Sequence, residues 1–433
     1  MRNSEFQSER ESFFGRIYRN RFVRWFVLLI LLAAAGAAGG LFYFHHGLQQ
    51  QEAQLRAEGF PESFADLGVP QLAAQENAAT YYRAAAQALS PTYDQRAFPE
   101  RLAPLHCPQG ADTAESTQAD SDLESLRISL LENATALALV AQAQAMPDCV
   151  FGAYEDAIAD PMAAAVPLKD FELVRGLART LRDAAVGHAV EGNRDEAFGA
   201  ALAGLRLTND LRHEHSMIGF VVRLAVAHLA LESVQQCLAR TGDPGAQRDL
   251  LLGELHILHD REAVVKMMQG ELLFGRKMAA MQWANRTPGH NLLLTPFSYE
   301  LTKSSRQFLT AVRNENPMAR DRALDQVEAD LQVRLPWKMM AQVVVPALRG
   351  PILQHDHVVA QVAAAELALT IEQYQLDHGM YPEKLEDVPV DHAREAWWPR
   401  FAYERRQDGW YLEGVGMRDE VKWCGRQHFR LNH

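Results

Sequence analysis

The chain has 433 residues, which is too long for one average domain and fits about two or three folded units. Hydrophobic residues make up 48% of it and charged residues 23%, so neither a wholly disordered chain nor a polytopic membrane protein is expected. The net charge of −12 and the lack of a basic stripe with interleaved aromatic residues exclude nucleic acid as an expected partner.

The first feature along the chain is the charge-free stretch from Trp25 to Phe44. At about 1.5 Å per residue, a helix of this length spans a hydrocarbon core of about 30 Å. Trp25 lies at one end, and Phe42, Tyr43 and Phe44 lie at the other, as in the aromatic belts at membrane surfaces. The sequence therefore predicts one transmembrane helix that anchors the protein in a lipid bilayer.

The charges that flank this stretch predict its orientation. Four arginines lie between positions 16 and 24, whereas Arg56 is the only Lys or Arg in the equally close stretch that follows. By the positive-inside rule, residues 1–24 form a cytoplasmic tail and the rest of the chain lies in the periplasm of a bacterial inner membrane. A cleaved signal peptide is the alternative, because Ala35-Gly36-Ala37 offers small residues at a cleavage site.

Residues 45–350 carry the apolar periodicity of a helical body, interrupted at 91–122 by prolines and polar residues that predict an irregular loop. The predicted helices cover about 123–140, 170–240, 246–283 and 319–343. Gly192 predicts a turn within the second range, and a loop is expected from Thr287 to Pro296. The expected fold class is mainly α, with a body built from helical hairpins.

Two resemblances concern this body. The stretch from about 130 to 242 resembles an uncharacterised family of bacterial membrane-anchored helical proteins, through the short motifs Asn77-Ala78-Ala79, Pro147-Asp148-Cys149-Val150-Phe151, Val174 to Arg179, Gly192 to Ala197 and Val222-Arg223. The junction at Gly192 is also similar to one tetratricopeptide repeat, which would place Leu181, Ala185, His188, Ala197, Ala201 and Gly204 at packing positions. Such paired helices imply a surface that binds peptides or helices.

The pattern of residue types changes in the last segment, residues 351–433. A helix is predicted from about His357 to His378, ending at Gly379. Aromatic, alternating residues then follow at Phe401–Glu404 and Trp410–Val415, with Asp408-Gly409 between them, which predicts a β-hairpin. A small α+β module with a short antiparallel sheet is therefore expected at the end of the chain.

This module resembles the C-terminal half of type II secretion pseudopilins of the G type, through Ile371 to Tyr374, Asp377 to Pro382, Leu385, Phe401 to Tyr403 and Asp408 to Leu412. The resemblance implies a helix on which a Tyr-Pro turn and a small sheet dock. The calcium loop of that family has no counterpart at Met417 to Glu420, so no bound calcium is expected. An accessory component of a secretion or pilus-like system is one alternative function.

Three histidine pairs raise a metal-binding hypothesis. His355 and His357 with Glu366 could supply three ligands, and His213 with His215, or His256 with His259, invite the same question. None of the pairs has the spacing of a known metal motif, and Asp356 at a predicted helix start is more simply a helix-terminal charge. A metal-dependent hydrolase therefore remains an alternative, while the main interpretation assigns no metal and no cofactor.

The remaining candidates favour binding over catalysis. Arg175, Arg179 and Arg182 lie three and four residues apart on a predicted helix and could line a groove for an acidic ligand, or form ion pairs on a solvated face. Cys107 and Cys149 flank the irregular loop, and a disulfide between them is expected if the compartment is oxidising. With no nucleotide-binding or nucleophile motif in the chain, the sequence predicts a periplasm-facing interaction or scaffold protein with protein or peptide partners, not an enzyme.

Overall fold

A computed structural model describes residues 21–90, 116–152, 166–284, 290–314, 317–332, 335, 338–389, 401–406, 409–414 and 422–424. Its α-helices in these ranges are α1 (Arg21–Ala57), α2 (Ala78–Gln87), α3 (Ser116–Glu132), α4 (Ala134–Ala143), α5 (Val166–Val190), α6 (Arg194–Asp210), α7 (Met217–Thr241), α8 (Arg248–Ile257), α9 (Glu262–Ala284), α10 (His290–Val312), α11 (Pro317–Leu331) and α12 (Met339–His378). The strands are β1 (Phe401–Arg406), β2 (Gly409–Gly414) and β3 (Lys422–Cys424). The prediction of a mainly helical fold with a small antiparallel sheet near its end is confirmed.

Residue contacts divide the chain into two compact units, whereas the sequence suggested a boundary near residue 350. Unit 1 comprises Met1–Phe60 and Ala279–Pro346, and unit 2 comprises Pro61–Met278 and Ala347–His433. Two of the described helices are long and apolar enough to cross a membrane. For α7, 61% of the apolar window is buried, so this helix belongs to the core of unit 2. For α1 the buried share is 0%, so α1 is the candidate membrane helix.

Helix α10 packs along the second half of α1 in unit 1. The ring of Tyr299 lies 6.3 Å from that of Tyr43 and 5.7 Å from that of Phe44. A Cβ atom at Gly47 would lie 2.8 Å from Cε2 of Tyr299, so glycine allows this close approach. Further along, Arg306 forms an ion pair of 2.5 Å with Glu58.

The core of unit 2 is built around α5, α6 and α7. Gly192 ends α5 with a φ of +79°, and the Asn193 N–H donates to the carbonyl of His188 at 2.8 Å, which is the helix end that the sequence predicts. Ala185, Ala197 and Ala201 are fully buried. A Cβ atom at Gly204 would lie 3.3 Å from Cβ of Ala230, so α6 and α7 approach closely there.

Several predicted boundaries are wrong for local reasons. The helix predicted over 123–140 is two helices, because the amide of buried Asn133 donates to the Ser129 carbonyl at 2.8 Å and accepts from the Ser90 N–H at 2.8 Å. The helix predicted over 246–283 is interrupted before Glu262, whose N–H donates to the Asp260 carboxylate at 2.9 Å. The loop predicted to end at Pro296 is helical from His290 onward.

Helix α12 starts about eighteen residues before the predicted start at His357 and runs through Pro346 and Pro351. Asp356 therefore lies inside a helix, and its interpretation as a helix-terminal charge is wrong. At the other end, Gly379 has a φ of +76°, and its N–H donates to the Gln375 carbonyl at 2.8 Å. This helix end is the predicted one.

The sheet has the order β1-β2-β3, and both neighbouring pairs are antiparallel. Phe401 pairs with Gly414 and Arg406 with Gly409, which confirms the predicted hairpin. The sheet is fastened to the end of α12 and the turn after it. Trp410 donates to Glu372, and the Tyr403 hydroxyl donates to the Pro382 carbonyl at 2.9 Å.

Candidate functional site

A groove of about 410 Å³ opens between α5, α7 and α12 in unit 2. We name it the Arg175 groove. Its lining consists of Arg175, Arg179, Val221, Leu224, Ala225, His228, Leu229, Gln354, His357 and Val358. The volume is in the range of pockets that hold small ligands or a few side chains of a peptide, about 300–1,000 Å³.

Helical periodicity explains why these residues share one surface. The lining residues of α7 fall at 221, 224, 225, 228 and 229, and those of α12 at 354, 357 and 358. Steps of three and four residues place side chains on one face of a helix. Arg175 and Arg179 are one turn apart on α5, so three helix faces converge on the groove.

The predicted arginine triad is divided between the groove and the core. Arg175 is exposed and Arg179 is half-buried in the groove lining. Arg182 is buried instead, and its guanidinium lies 3.2 Å from the Asp183 carboxylate and 3.4 Å from that of Glu232. Burial raises the pKa of Asp183 to about 6, against the opposing effect of Arg182 and Arg179.

Two histidines face each other across the groove from different helices. The ring centroids of His228, on α7, and His357, on α12, are 6.4 Å apart. Nδ1 of His228 lies 3.1 Å from Oε1 of Gln361, which holds the ring in place. Imidazole nitrogens and the Gln354 amide can each donate a hydrogen bond to a bound oxygen.

The lining is suited to a ligand that is both anionic and apolar. It contains two arginines and no Asp or Glu. Guanidinium groups bind carboxylates in a bidentate, charge-assisted geometry. The aliphatic side chains of the lining, including buried Leu224 and Val358, form an apolar surface within the groove. The lining carries no hydroxyl, thiol or carboxylate.

The structure does not bring His355, His357 and Glu366 together as a set of metal ligands. His355 is stacked on Phe220 with ring centroids 5.7 Å apart, whereas Glu366 pairs with His259 at 3.1 Å. Within the described ranges, no group of three His, Cys, Asp or Glu side chains is placed to hold a metal ion. His355, His357 and Glu366 thus belong to different local environments.

His213 and His215 lie near each other, with ring centroids 6.4 Å apart. Nε2 of His213 lies 3.0 Å from the Asp148 carboxylate, and burial lowers the pKa of His213 despite this partner. His215 is 3% exposed, and burial lowers its pKa to about 4. His215 is therefore neutral at pH 7.

A polar network that we name the Asp148 joint connects Asn77, Asp148, Arg212, His213 and Glu214. Arg212 lies 2.6 Å from Asp148, and Glu214 accepts from the Phe151 N–H at 3.0 Å. The Asn77 amide accepts from the Val150 N–H at 3.0 Å and donates to the Val150 carbonyl at 2.9 Å. Two of the short motifs noted in the sequence, at 77–79 and 147–151, therefore meet in space. Their role here is to join α2 to the turn after α6.

The predicted anchor residues lie on the surface of α1. Trp25 is 68% exposed, Phe42 73% and Tyr43 63%, and Phe44 is half-buried beside Tyr299. Large exposed apolar side chains at these positions are compatible with a lipid environment.

The predicted disulfide stays a prediction, because Cys107 lies outside the described residues. Cys149 is buried and forms no disulfide with a described residue. Burial, aided by the nearby carboxylates of Asp210 and Glu214, raises the pKa of its thiol.

Sequence reasoning found Arg175 and Arg179 but missed His228, Gln354 and His357 as their neighbours. The α7 face repeats at three- and four-residue steps, yet such a pattern does not reveal which helix packs beside it. Comparison of the chain with protein-family models, with curated protein sequences and with solved structures found no match.

Proposed function

We propose that this chain is a single-pass protein of a bacterial inner membrane whose periplasmic body binds a partner protein. In this proposal residues 25–44 of α1 span the bilayer and the N-terminus is cytoplasmic. The partner presents an acidic segment with apolar side chains, which the Arg175 groove receives. The protein then serves as a membrane-tethered interaction protein and not as an enzyme.

The observation that carries the proposal is the charge of the groove. The chain as a whole has a net charge of −12, so most of its surface repels acidic ligands. The groove lining, in contrast, has two arginines and no acidic residue. A local cationic site on an anionic protein selects an acidic ligand by charge complementarity.

The exposed apolar surface of α1 supports the membrane-anchor part of the proposal. Leu29, Leu31 and Leu32 are each more than 60% exposed. Such a continuous apolar surface is unfavourable in water and is stabilised by lipid.

The binding experiment uses the full-length protein in nanodiscs. The probe is a fluorescein-labelled peptide in which glutamate and leucine alternate, and a lysine-leucine peptide of equal length is the control. A hydrogen bond to a charged group contributes about 1.5–3 kcal/mol, and about 1.4 kcal/mol corresponds to a factor of ten in Kd. We therefore expect Arg175→Gln/Arg179→Gln to weaken binding of the glutamate peptide at least tenfold.

A matched double variant controls for the loss of charge. Arg261 and Arg313 are exposed residues outside the groove, so Arg261→Gln/Arg313→Gln changes the net charge equally. We expect it to leave the Kd within a factor of two or three. Equal losses in both variants would show that the peptide responds to overall charge, and binding of the lysine peptide as tightly as the glutamate peptide would contradict the proposal.

A further inference from the structure

Helix α10 runs in the same direction as α1 in unit 1. Tyr299 contacts Tyr43, Phe44 and Gly47, and Arg306, two turns later, contacts Gln54 and Glu58. As the chain advances along α10, its partners advance along α1. The two helices are therefore parallel and in a fixed register.

This register places the start of α10 beside the end of the apolar stretch of α1. His290 precedes Tyr299 by nine residues, which is about 13 Å along a helix. The first two turns of α10 thus come level with the last turns before Phe44. In agreement, Gly40 and Leu41 are partly buried, whereas the described residues from Trp25 to Gly39 are exposed.

The uncharged stretches of the two helices overlap on the N-terminal side of the Tyr43–Tyr299 contact. After Arg24, the next charged residue of α1 is Glu52. In α10, no charged residue occurs before Glu300, which directly follows Tyr299. Upstream, Arg286 is the only charged residue between Lys277 and Glu300. Two helices that are separate in sequence therefore have no charged residues directly on the N-terminal side of the Tyr43–Tyr299 contact.

From this coincidence we infer that the start of α10, residues 290–297, is a second membrane-contacting segment that enters the outer leaflet of the bilayer beside the anchor. The inference rests on the proposed function, because it needs α1 to span the membrane. The segment is Asn291-Leu292-Leu293-Leu294-Thr295-Pro296-Phe297 after His290, and leucine and phenylalanine are the residues that interfacial helices bury in lipid. Tyr43 and Tyr299 then lie together at the membrane surface, where tyrosine is enriched.

The test measures the depth of single spin labels in full-length protein reconstituted into liposomes. Cys107 and Cys424 are replaced by serine, and the buried thiols of Cys149 and Cys237 are checked for absence of labelling. Labels are placed by Phe297→Cys and, as a second variant of the same turn, Ser298→Cys. Gln307→Cys, an exposed position of α10 beyond Glu300, is the aqueous control, and Leu31→Cys in α1 is the membrane control.

Collisions with oxygen report lipid, and collisions with a water-soluble nickel complex report solvent. We expect the label at 297 or 298 to collide more with oxygen and less with nickel than the label at 307, at a shallower depth than the label at 31, and the label at 307 to be accessible to nickel. If the label at 31 is in lipid while those at 297 and 298 are as accessible to nickel as that at 307, the inference is wrong and the anchor stands. If the label at 31 is itself accessible to nickel, the proposed anchor fails and the inference fails with it.

Discussion

The indole nitrogen of Trp410 donates a hydrogen bond of 2.8 Å to Oε1 of Glu372. Each of these residues is only 1% exposed. The Tyr381 hydroxyl lies 3.4 Å from the same carboxylate. Strand β2 and the turn after α12 therefore both contact the buried carboxylate of Glu372, near the end of that helix.

The first prediction concerns this carboxylate. Trp410→Phe removes the indole donor and leaves a partly filled space, so we expect the free energy of unfolding to fall by about 2–4 kcal/mol. Urea unfolding of the detergent-solubilised protein, followed by near-ultraviolet circular dichroism, measures it. The control is Tyr411→Phe on the same strand, where the side chain is only half-buried and a change below about 1 kcal/mol is expected. Equal midpoints for the two variants would refute the role of the Trp410 bond.

The second prediction uses two glycines of α9. A Cβ atom at Gly270 would lie 2.3 Å from the His215 carbonyl oxygen, whereas one at Gly275 would meet nothing within 4 Å. Gly270→Ala forces α9 away from the turn at His215 and should destabilise the protein by about 1–3 kcal/mol. Gly275→Ala, in an exposed position of the same helix, should stabilise it by about 0.5–1 kcal/mol. Thermal unfolding compares the two, and a shift of the same sign in both would show that the contact at Gly270 is unimportant.

The third prediction is a pH dependence. Burial lowers the pKa of His215 to about 4 from 6.5, and its Nε2 has no hydrogen-bond partner among the described residues. Below pH 6.5 the unfolded chain therefore binds a proton at His215 that the folded protein does not bind until about pH 4. Stability consequently falls as the pH falls through this window, by about 2 kcal/mol for this residue between pH 7 and pH 5.

The variant His215→Gln isolates this contribution, since all other groups titrate in both proteins. The difference in unfolding free energy between pH 7 and pH 5, measured with urea, should be about 2 kcal/mol smaller in the variant than in the wild type. An equal change of the unfolding free energy with pH in both proteins would mean that His215 binds its proton equally well in the folded and unfolded states, which would contradict the lowered pKa.

The fourth prediction concerns Asn77 in the Asp148 joint. Its side chain makes both hydrogen bonds to Val150 and also accepts from the Ala79 N–H at 3.1 Å at the start of α2. Asn77→Ala removes all three and should cost about 2–4 kcal/mol. Asn77→Asp retains the acceptors but cannot donate to the Val150 carbonyl. We therefore expect it to lower the free energy of unfolding by no more than Asn77→Ala does. Full stability of the alanine variant in urea would contradict this role.

The sequence predicted those parts of the fold that depend on local residue chemistry. Gly192 and Gly379 end helices as expected, because glycine adopts positive φ without strain. The antiparallel pairing of β1 with β2 follows from the alternation of residues that predicted a hairpin. Pro296 was misleading, since proline normally interrupts a helix but lies inside α10 here.

The candidate site could be predicted only in part. The spacing of Arg175 and Arg179 indicated one cationic helix face, but their environment depends on His228 and His357, which lie far away in sequence. Arg182 shows the same limit, because its position in the core rests on Glu232 of another helix. Helix pairing is set by tertiary packing, which a single periodic pattern does not specify.

In our proposal the Arg175 groove binds an acidic segment of a partner protein at the membrane. Val221, a half-buried lining residue, can be replaced by a photo-crosslinking amino acid in the full-length protein, expressed in its native membrane and irradiated. We predict an adduct whose crosslinked peptide, identified by mass spectrometry, is rich in Asp and Glu, and which is lost in Arg175→Gln/Arg179→Gln but kept in Arg261→Gln/Arg313→Gln. An adduct that persists in the groove variant, or one that maps to a basic segment, would contradict the proposed binding of an acidic partner.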